Sequence, residues 1–122
     1  LEIGSEQTSR FPGTGQRTTM TVDCVTLDHW AEGRNLARPT LLKIDVQGSE
    51  MQVLAGAADL LASLDYVYAE VSFIELYVGQ VLATDIIAFL LEHGFELEGV
   101  YNTKYGDHAE AIQADVMFRR RS

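Results

Sequence analysis

The chain has 122 residues, which suffices for one small domain and excludes a second complete one. Its 18 acidic side chains against 9 basic ones give a formal net charge of −9, which disfavours nucleic acid and anionic lipid as partners. The sequence has one cysteine, Cys24, and no apolar run long enough to cross a membrane, so we expect a reducing cytoplasm and no membrane partner.

The first third of the chain predicts a loop, a strand and a short helix. Residues 1–3 resemble the inside of a strand with no start signal ahead of it, which indicates a piece of a longer protein. Residues 4–18 are rich in Gly, Ser, Thr, Gln and Arg and predict a loop. Residues 20–27 predict a strand that buries its cysteine, and Asp28 is expected to cap a helix through about Gly33.

The middle of the chain predicts a βαβ unit. Residues 41–46 are a short apolar run, typical of a parallel strand covered on both faces. Ser49 and Gln52 have capping-box spacing, and apolar residues at helical spacing behind them predict a helix from about 49 to 64. Residues 66–72 are dense in β-branched and aromatic side chains and predict the second strand, parallel to the first.

The last third predicts a helix followed by a hairpin. Thr84 or Asp85 caps a helix that Gly94 ends. Residues 95–101 predict a strand, and residues 112–119 alternate apolar with polar side chains, as half-buried strands do. The ten residues between them suit a long hairpin, so we expect the final strand to run antiparallel to the others.

Candidate site residues follow from this α/β order, because ligands collect beyond the carboxyl ends of parallel strands. That rule selects residues 45–50, 70–73 and 102–111, and it adds Gln113 and Asp115 on the returning strand.

Three acids within these segments have both a functional and a structural interpretation. Asp45 lies in an otherwise apolar strand, where an acid costs free energy unless it is bound. It serves either a ligand or the backbone N–H groups of the next helix. Glu50 in a first helical turn is favourable for structural reasons alone, and Glu70 is either a partner base or an anchor for a loop.

The histidines and the basic cluster carry less information. His29, His93 and His108 lie in different elements without metal-like spacing, and only His108 lies in a loop that could reach the site. We expect His29 at the surface and His93 in the last turn of its helix. The acids show no diagnostic spacing, which leaves a metal open. Residues 119–121, three arginines, are interpreted as a solvated tail.

Residues 42–50, LKIDVQGSE, closely resemble the signature of the FkbM methyltransferase family. Further segments between about residues 20 and 119 continue the resemblance in family order: Thr26–Asp28, Val53-Leu54, Gly56-Ala57, Glu70–Phe73, Leu76-Tyr77, Gly94-Phe95, Gln113–Asp115 and Phe118.

The resemblance implies the C-terminal half of a Rossmann-like class I methyltransferase sheet, with S-adenosylmethionine as cofactor. It implies an acceptor hydroxyl on a sugar, polyketide or similar small metabolite. It further implies that the glycine-rich cofactor loop and the ribose-binding acid lie outside these residues, so the chain alone should bind cofactor weakly. On this interpretation residues 1–18 are a loop or edge segment and residues 19–122 an α/β core within a single domain.

The site assignments that accompany the resemblance are expectations. We expect Asp45 to be the base or acceptor-orienting group, with Glu70 second, and we expect the cofactor to contact Asp45, Gln47, Gly48 and Glu50. The acceptor is expected to contact Ser72, Phe73, Tyr77, Asn102, Tyr105, His108 and Gln113. Two rival functions remain, a non-catalytic α/β binding module and a dinucleotide-dependent oxidoreductase.

Overall fold

The computed structural model describes residues 2–15 and 18–122. In chain order its elements are α1 (Ser5–Arg10), α2 (Leu27–Ala31), β1 (Leu41–Ile44), α3 (Glu50–Ala55), a 3-10 helix (Leu60–Ser63), β2 (Tyr66–Ser72), α4 (Ala83–Glu92), β3 (Phe95–Tyr105) and β4 (Ala111–Arg120).

The strands form one four-stranded sheet in the order β1-β2-β4-β3. β1 pairs in parallel with β2, and β4 runs antiparallel to both β2 and β3. The predicted mixed α/β class, the parallel βαβ unit and the antiparallel final strand are therefore confirmed. The carboxyl ends of β1 and β2 meet at one edge of the sheet, which is the edge that the sequence selects for ligands.

The core lies on the face of the sheet against which α3 and α4 pack. Alternate residues of β2 and β4, among them Val67 and Phe118, are fully buried against Leu54, Ile86 and Leu90 of the helices. Burial of one such large side chain contributes about 1.5–3 kcal/mol. On the opposite face, Tyr66, Tyr68 and Glu70 of β2 stay half-buried.

The prediction that the first strand is covered on both faces is wrong for the described part of the chain. Ile44 is buried, but Leu41 is 53% exposed and Lys43, on the same side as Leu41, is exposed too. One side of β1 faces the helices, and no described element packs over the other. Asp45 and Val46 lie just beyond the strand rather than in it.

The first segment differs most from its prediction. Residues 5–10 form α1 rather than a loop, and Ile3 makes a single antiparallel bridge to Tyr77 instead of belonging to a strand. Leu1 lies outside the described residues. Residues 20–26 have no regular structure, because no described strand offers them hydrogen-bond partners, and Cys24 is exposed rather than buried.

The helix predicted over residues 49–64 is interrupted after Ala55. The carbonyl of Gly56 accepts the N–H of Asp28, at 2.9 Å, from the start of α2. The N–H of Leu60, which would bond that carbonyl in a continuous helix, donates instead to the Asp28 carboxylate at 2.8 Å. α2 therefore supplies the hydrogen bonds that end one helix and begin the next.

The side-chain N-caps predicted for α2 and α3 do not form. Thr26, not Asp28, caps α2, because its hydroxyl accepts the N–H of His29 at 3.1 Å. Ser49 stands at the N-cap of α3 without a side-chain hydrogen bond, so its capping box does not form.

α4 begins two or three residues earlier than the sequence suggests, since its N-cap is Leu82 rather than Thr84 or Asp85. Leu82 makes no side-chain bond, and both Thr84 and Asp85 lie inside the first turn. Gly94 ends the helix as predicted, in a conformation with φ of +88° that favours glycine.

The hairpin and the arginine cluster also differ from expectation. β3 extends to Tyr105, so the loop comprises residues 106–110 only. The arginines are not a solvated tail, because β4 runs to Arg120. The guanidinium of Arg120 lies 4.3 Å above the Phe95 ring and donates to the carbonyls of Leu64 and Leu61.

Candidate active site

The turn after β1 brings polar groups to the carboxyl edge of the sheet. Gln47 and Gly48 both have positive φ, at 53° and 101°, a region that glycine tolerates best. The Gly48 N–H donates to the carboxylate of Glu50 at 3.1 Å, and both residues are buried. Glu50 and Gly48 therefore fix this turn, which is the structural interpretation of Glu50.

Asp45 lies in this turn but is exposed rather than buried. Its carboxylate is 3.4 Å from the Lys43 ammonium and accepts a hydrogen bond from the Gln47 amide at 3.2 Å. The premise that Asp45 is an acid enclosed by an apolar strand is wrong, because the strand ends at Ile44. Its position at the carboxyl edge of the sheet is as predicted.

Glu70, in β2, is the more enclosed of the two acids. The Gln113 side-chain amide donates to its carboxylate, and the Gln113 carbonyl in turn accepts from the Lys104 ammonium at 3.1 Å. Burial raises the pKa of Glu70, and the nearby charge of Asp45 raises it further. Lys104 acts in the opposite direction. A carboxylate so placed holds its proton more readily than a surface glutamate does.

Tyr77 connects the acids to the loop after β2. Its hydroxyl donates to the side-chain carbonyl of Gln47, and burial raises its pKa together with the charges of Glu70, Glu50 and Asp45. The three acids and this phenol therefore share one environment.

The loop that carries Tyr77 is held by a buried glutamine. The side-chain carbonyl of Gln80 accepts the N–H groups of Leu76 and Tyr77, at 3.0 and 3.3 Å. Its amide donates to the hydroxyl of Ser72 at 2.9 Å. Ser72 is buried and engaged in this network, so its contacts are structural in this arrangement.

Residues 2–15, here called the strap, contribute Gln7, Phe11 and Thr14 to a cavity that contains Glu70. The strap is fastened at Gly4, whose N–H donates to the carbonyl of Leu76 at 2.8 Å. A Cβ at Gly4 would lie 2.7 Å from that oxygen, so the close approach requires glycine. Farther along, Arg10 pairs with Glu110 of the hairpin loop at 3.2 Å.

A cavity of about 140 Å³ lies between the strap and the sheet. It is lined by Gln7, Phe11, Thr14, Gln47, Glu70, Lys104 and Gln113. The sequence selects Gln47, Glu70 and Gln113 for the site. It misses the strap residues, because their polar composition resembles that of a plain loop and nothing in it signals that they fold back over β2.

Other predicted residues lie elsewhere. Tyr105 and His108 line a separate cavity of about 480 Å³ beside Arg10 of the strap. Asn102 donates to Asp115 at 2.7 Å on the open face of the sheet, and Phe73 is 39% exposed. The structure therefore does not bring the predicted acceptor residues together in one cavity.

The histidines lie where the sequence predicts. His29 is exposed, and His93 is the C-cap of α4, where its ring stacks on Phe89 at 4.0 Å. Within residues 2–15 and 18–122, no group of three or more His, Cys, Asp or Glu side chains could hold a metal ion. No helix among these residues is long and apolar enough to cross a membrane.

A larger cavity, of about 770 Å³, lies between residues 24–27 and β1 with α3. Among the described residues that line it, the only titratable ones are Cys24 and Lys43, and none of them is a carboxylate. The cavity at Glu70 instead combines a carboxylate of raised pKa, an ammonium group and three carboxamides. Such a set can hold a polar, hydroxyl-bearing molecule and accept a proton from it.

Comparisons with known proteins identify the family of the chain. Residues 2–97 match the family model described as Methyltransferase FkbM domain. The chain is 31% identical over 117 residues to the 2-O-methyltransferase NoeI of Sinorhizobium fredii, covering 96% of this chain and 42% of that protein. Over 53 residues it is 32% identical to the hexuronic acid methyltransferase AglP of Haloferax volcanii, covering 43% of this chain and 22% of that protein.

The chain thus spans less than half the length of either relative. No solved structure matches it.

Proposed function

Because the chain belongs to the FkbM methyltransferase family, we propose that it is part of an S-adenosylmethionine-dependent O-methyltransferase whose acceptor is a sugar hydroxyl. On this proposal the four-stranded sheet is one half of a Rossmann-like class I methyltransferase sheet. The names of the two relatives, a 2-O-methyltransferase and a hexuronic acid methyltransferase, favour a sugar over a polyketide or other small metabolite.

The residues at the carboxyl edge of the sheet fit the proposed cofactor. Asp45, Glu50 and Glu70 lie close enough together to raise the pKa of Tyr77 in common. Their combined negative charge favours a positively charged sulfonium group nearby. Asp45, Gln47, Gly48 and Glu50 are the residues that we propose to line the cofactor side of the site.

When bound, S-adenosylmethionine supplies a methyl group that is open to attack by an oxygen. Asp45, Gln47, Gly48 and Glu50 would hold this cofactor, which would give up its methyl group to the acceptor oxygen and leave as the neutral thioether. The chain has two tasks: to hold the acceptor oxygen in line with the methyl group, and to take the hydroxyl proton.

Glu70 is the residue that we assign to proton removal. It lies at the cavity with a pKa above its ordinary value, and general bases work best with a pKa close to the operating pH. Gln113 donates to one of its oxygens, and on this proposal the other oxygen accepts from the acceptor hydroxyl. This half-buried carboxylate is the observation that carries the proposal.

Asp45 takes the second place in this scheme, as the acid that orients the neighbouring groups. It is more exposed than Glu70 and is bound to Lys43 and Gln47. The order that the sequence favours, Asp45 before Glu70, is therefore reversed in our proposal.

The test compares variants of the intact protein with S-adenosylmethionine and a panel of methyl hexopyranosides. We expect Glu70→Gln to lower kcat by about 100- to 10,000-fold. Since burial disfavours the charged form of Glu70, the same variant should not lower the melting temperature. Glu75→Gln changes an exposed acid in the adjacent loop and serves as the matched control.

Two results would contradict the assignment. Normal turnover by Glu70→Gln would exclude Glu70 as the base. A wild-type protein that binds a glycoside without ever methylating it would favour the rival interpretation, a non-catalytic binding module.

A further inference from the structure

Lys104 is a charged residue at the Glu70 cavity to which the proposed reaction gives no task. It lies in β3, two strands away from Glu70, and it lines the same cavity. Its ammonium donates to the side-chain carbonyl of Gln113 at 3.1 Å, and the amide of Gln113 donates to the Glu70 carboxylate. A continuous line of hydrogen bonds therefore joins Lys104 on β3 to Glu70 on β2, through Gln113 on β4.

The cation determines which way the Gln113 carboxamide points. An ammonium group has three donors and no acceptor, so it can bond only the carbonyl end of a carboxamide. The NH2 end of Gln113 is then directed at Glu70. Gln113 is only 8% exposed, so little solvent competes for its amide. With Lys104 in place, Gln113 is held as a donor to the carboxylate, and such a donor favours the ionised form of the acid.

The position of Lys104 depends on a β-bulge in β3. In an unbroken ladder, the pairing of Tyr101 with β4 would place Thr103 opposite Gln113. The structure instead pairs Lys104 with Gln113, because one extra residue is accommodated where Asn102 has a φ of 51°. Asparagine is among the residues that adopt this left-handed conformation most readily. Since a shift of one residue turns a side chain to the other face of a sheet, the bulge brings Lys104 to the face of Gln113.

The strap contacts the ammonium from another side. The Lys104 nitrogen lies 5.2 Å from the centre of the Phe11 ring, within the range of a cation–π contact. Both the ring and the Gln113 carbonyl favour a cation at this point. The residue as a whole is exposed, so Lys104 can be replaced without emptying the core.

Lys104 offsets the acids around Glu70. Burial raises the pKa of Glu70, and Lys104 lowers it. Acids on three other elements raise it further: Asp45 after β1, Asp115 on β4 and Glu50 on α3. The phenol of Tyr77, on the loop after β2, shares this environment, and its own raised pKa keeps it neutral. The cation that supports the charged form of Glu70 is therefore the one bonded to Gln113.

We propose that Lys104 is a positioning residue for the reaction: by fixing the Gln113 amide as a donor, it keeps the proposed base, Glu70, ionised. The inference rests on the proposed function and deepens it. Glu70 takes the proton, and Lys104 sets the pH range in which Glu70 can do so.

The experiment measures kcat/KM against pH for variants of the intact protein, with S-adenosylmethionine and a methyl hexopyranoside that the wild type methylates. In Lys104→Met we expect kcat/KM to begin its fall at a higher pH than in the wild type, because Glu70 loses a group that favours its ionised form. On the acid side of the profile the variant should be about 3- to 10-fold slower, which is the equivalent of about one hydrogen bond. At alkaline pH its kcat/KM should stay within about twofold of the wild type. A merely structural role of Lys104 would instead lower kcat/KM by the same factor at every pH.

Two further variants serve as rescue and control. Lys104→Arg keeps a cationic donor and should retain the wild-type profile to within about twofold. Arg119→Met also removes one positive charge, from an exposed residue at the other end of β4, and its profile should match the wild type. Melting temperatures show that each variant is folded.

Gln113→Leu separates an effect of Lys104 through Gln113 from an effect of its charge alone. If Lys104 acts through Gln113, Lys104→Met changes the profile of the wild type but adds nothing to Gln113→Leu. Equal effects of Lys104→Met in both backgrounds, or an unchanged acid side in the folded Lys104→Met variant, overturn this inference and leave the proposed function standing. A wild-type protein that methylates no glycoside overturns the proposed function itself, and this inference with it.

Discussion

Removing the carboxylate of Asp28 tests how the first part of the chain determines the break between α3 and the 3-10 helix. Its two oxygens accept the backbone N–H groups of Asp59 and Leu60, at 3.1 and 2.8 Å. In Asp28→Ala both N–H groups lose their partner at the start of the 3-10 helix. Losing a side chain that caps a helix start costs about 0.5–2 kcal/mol, and partial exposure places this case near the middle of that range.

The expected change can be measured by thermal unfolding of the intact protein. A loss of about 1–1.5 kcal/mol lowers the melting temperature by about 2–6 °C. Asp59→Ala removes an exposed acid at the same junction, and it should change stability by less than about 0.5 kcal/mol. Equal losses in the two variants would mean that charge, rather than the two hydrogen bonds, determines stability here, and would refute the reasoning.

Three further predictions follow from the site and from the end of β4. In the wild type, kcat/KM should fall as the pH falls through the raised pKa of Glu70, because the base becomes protonated. If Glu70→Gln keeps the same dependence of kcat/KM on pH as the wild type, Glu70 is not the group that titrates. The double variant Tyr105→Ala with His108→Ala should raise KM for the acceptor and leave the cofactor affinity, measured by calorimetry, nearly unchanged. Unaltered acceptor kinetics would mean that the acceptor does not use the cavity lined by Tyr105 and His108. Arg120→Lys should lower the free energy of unfolding by about 1–3 kcal/mol. The reason is that lysine cannot bond both the Leu61 and the Leu64 carbonyl as the guanidinium does. Arg121→Lys makes the same change at an exposed arginine and is the control.

The sequence predicts the elements whose periodicity is strong. β2 has the predicted bounds, and the alternation of β4 matches its burial, since Ile112, Ala114, Val116 and Phe118 are all buried. These patterns arise from side chains that share one hydrophobic face, and such a face is visible in a single sequence.

The sequence fails where contacts between distant segments determine the local structure. The α3 helix stops because a residue of α2 bonds its last carbonyl, and no local signal encodes that contact. Residues 20–26 have strand-like composition but remain irregular, since a strand requires a partner that the described residues do not supply.

The candidate site was predictable in part, for the same reason. The carboxyl ends of β1 and β2 follow from the βαβ pattern, which leads to Asp45 and Glu70 directly. Gln7 and Phe11 could not be found in this way, because only the folding of the strap over β2 brings them to the cavity. The relative burial of Asp45 and Glu70 also depends on where β1 ends, a boundary that sequence patterns determine poorly.

We propose that this family member transfers a methyl group to a sugar hydroxyl at the cavity of Glu70. To test this, the intact protein is incubated with methyl-labelled S-adenosylmethionine and a methyl hexopyranoside, and the label in the product is located by NMR. We expect a labelled methyl ether on a ring hydroxyl, and almost no product from Glu70→Gln. A product labelled at a nitrogen or as a carboxylate ester, or equal labelling by Glu70→Gln, would show that this proposal is wrong.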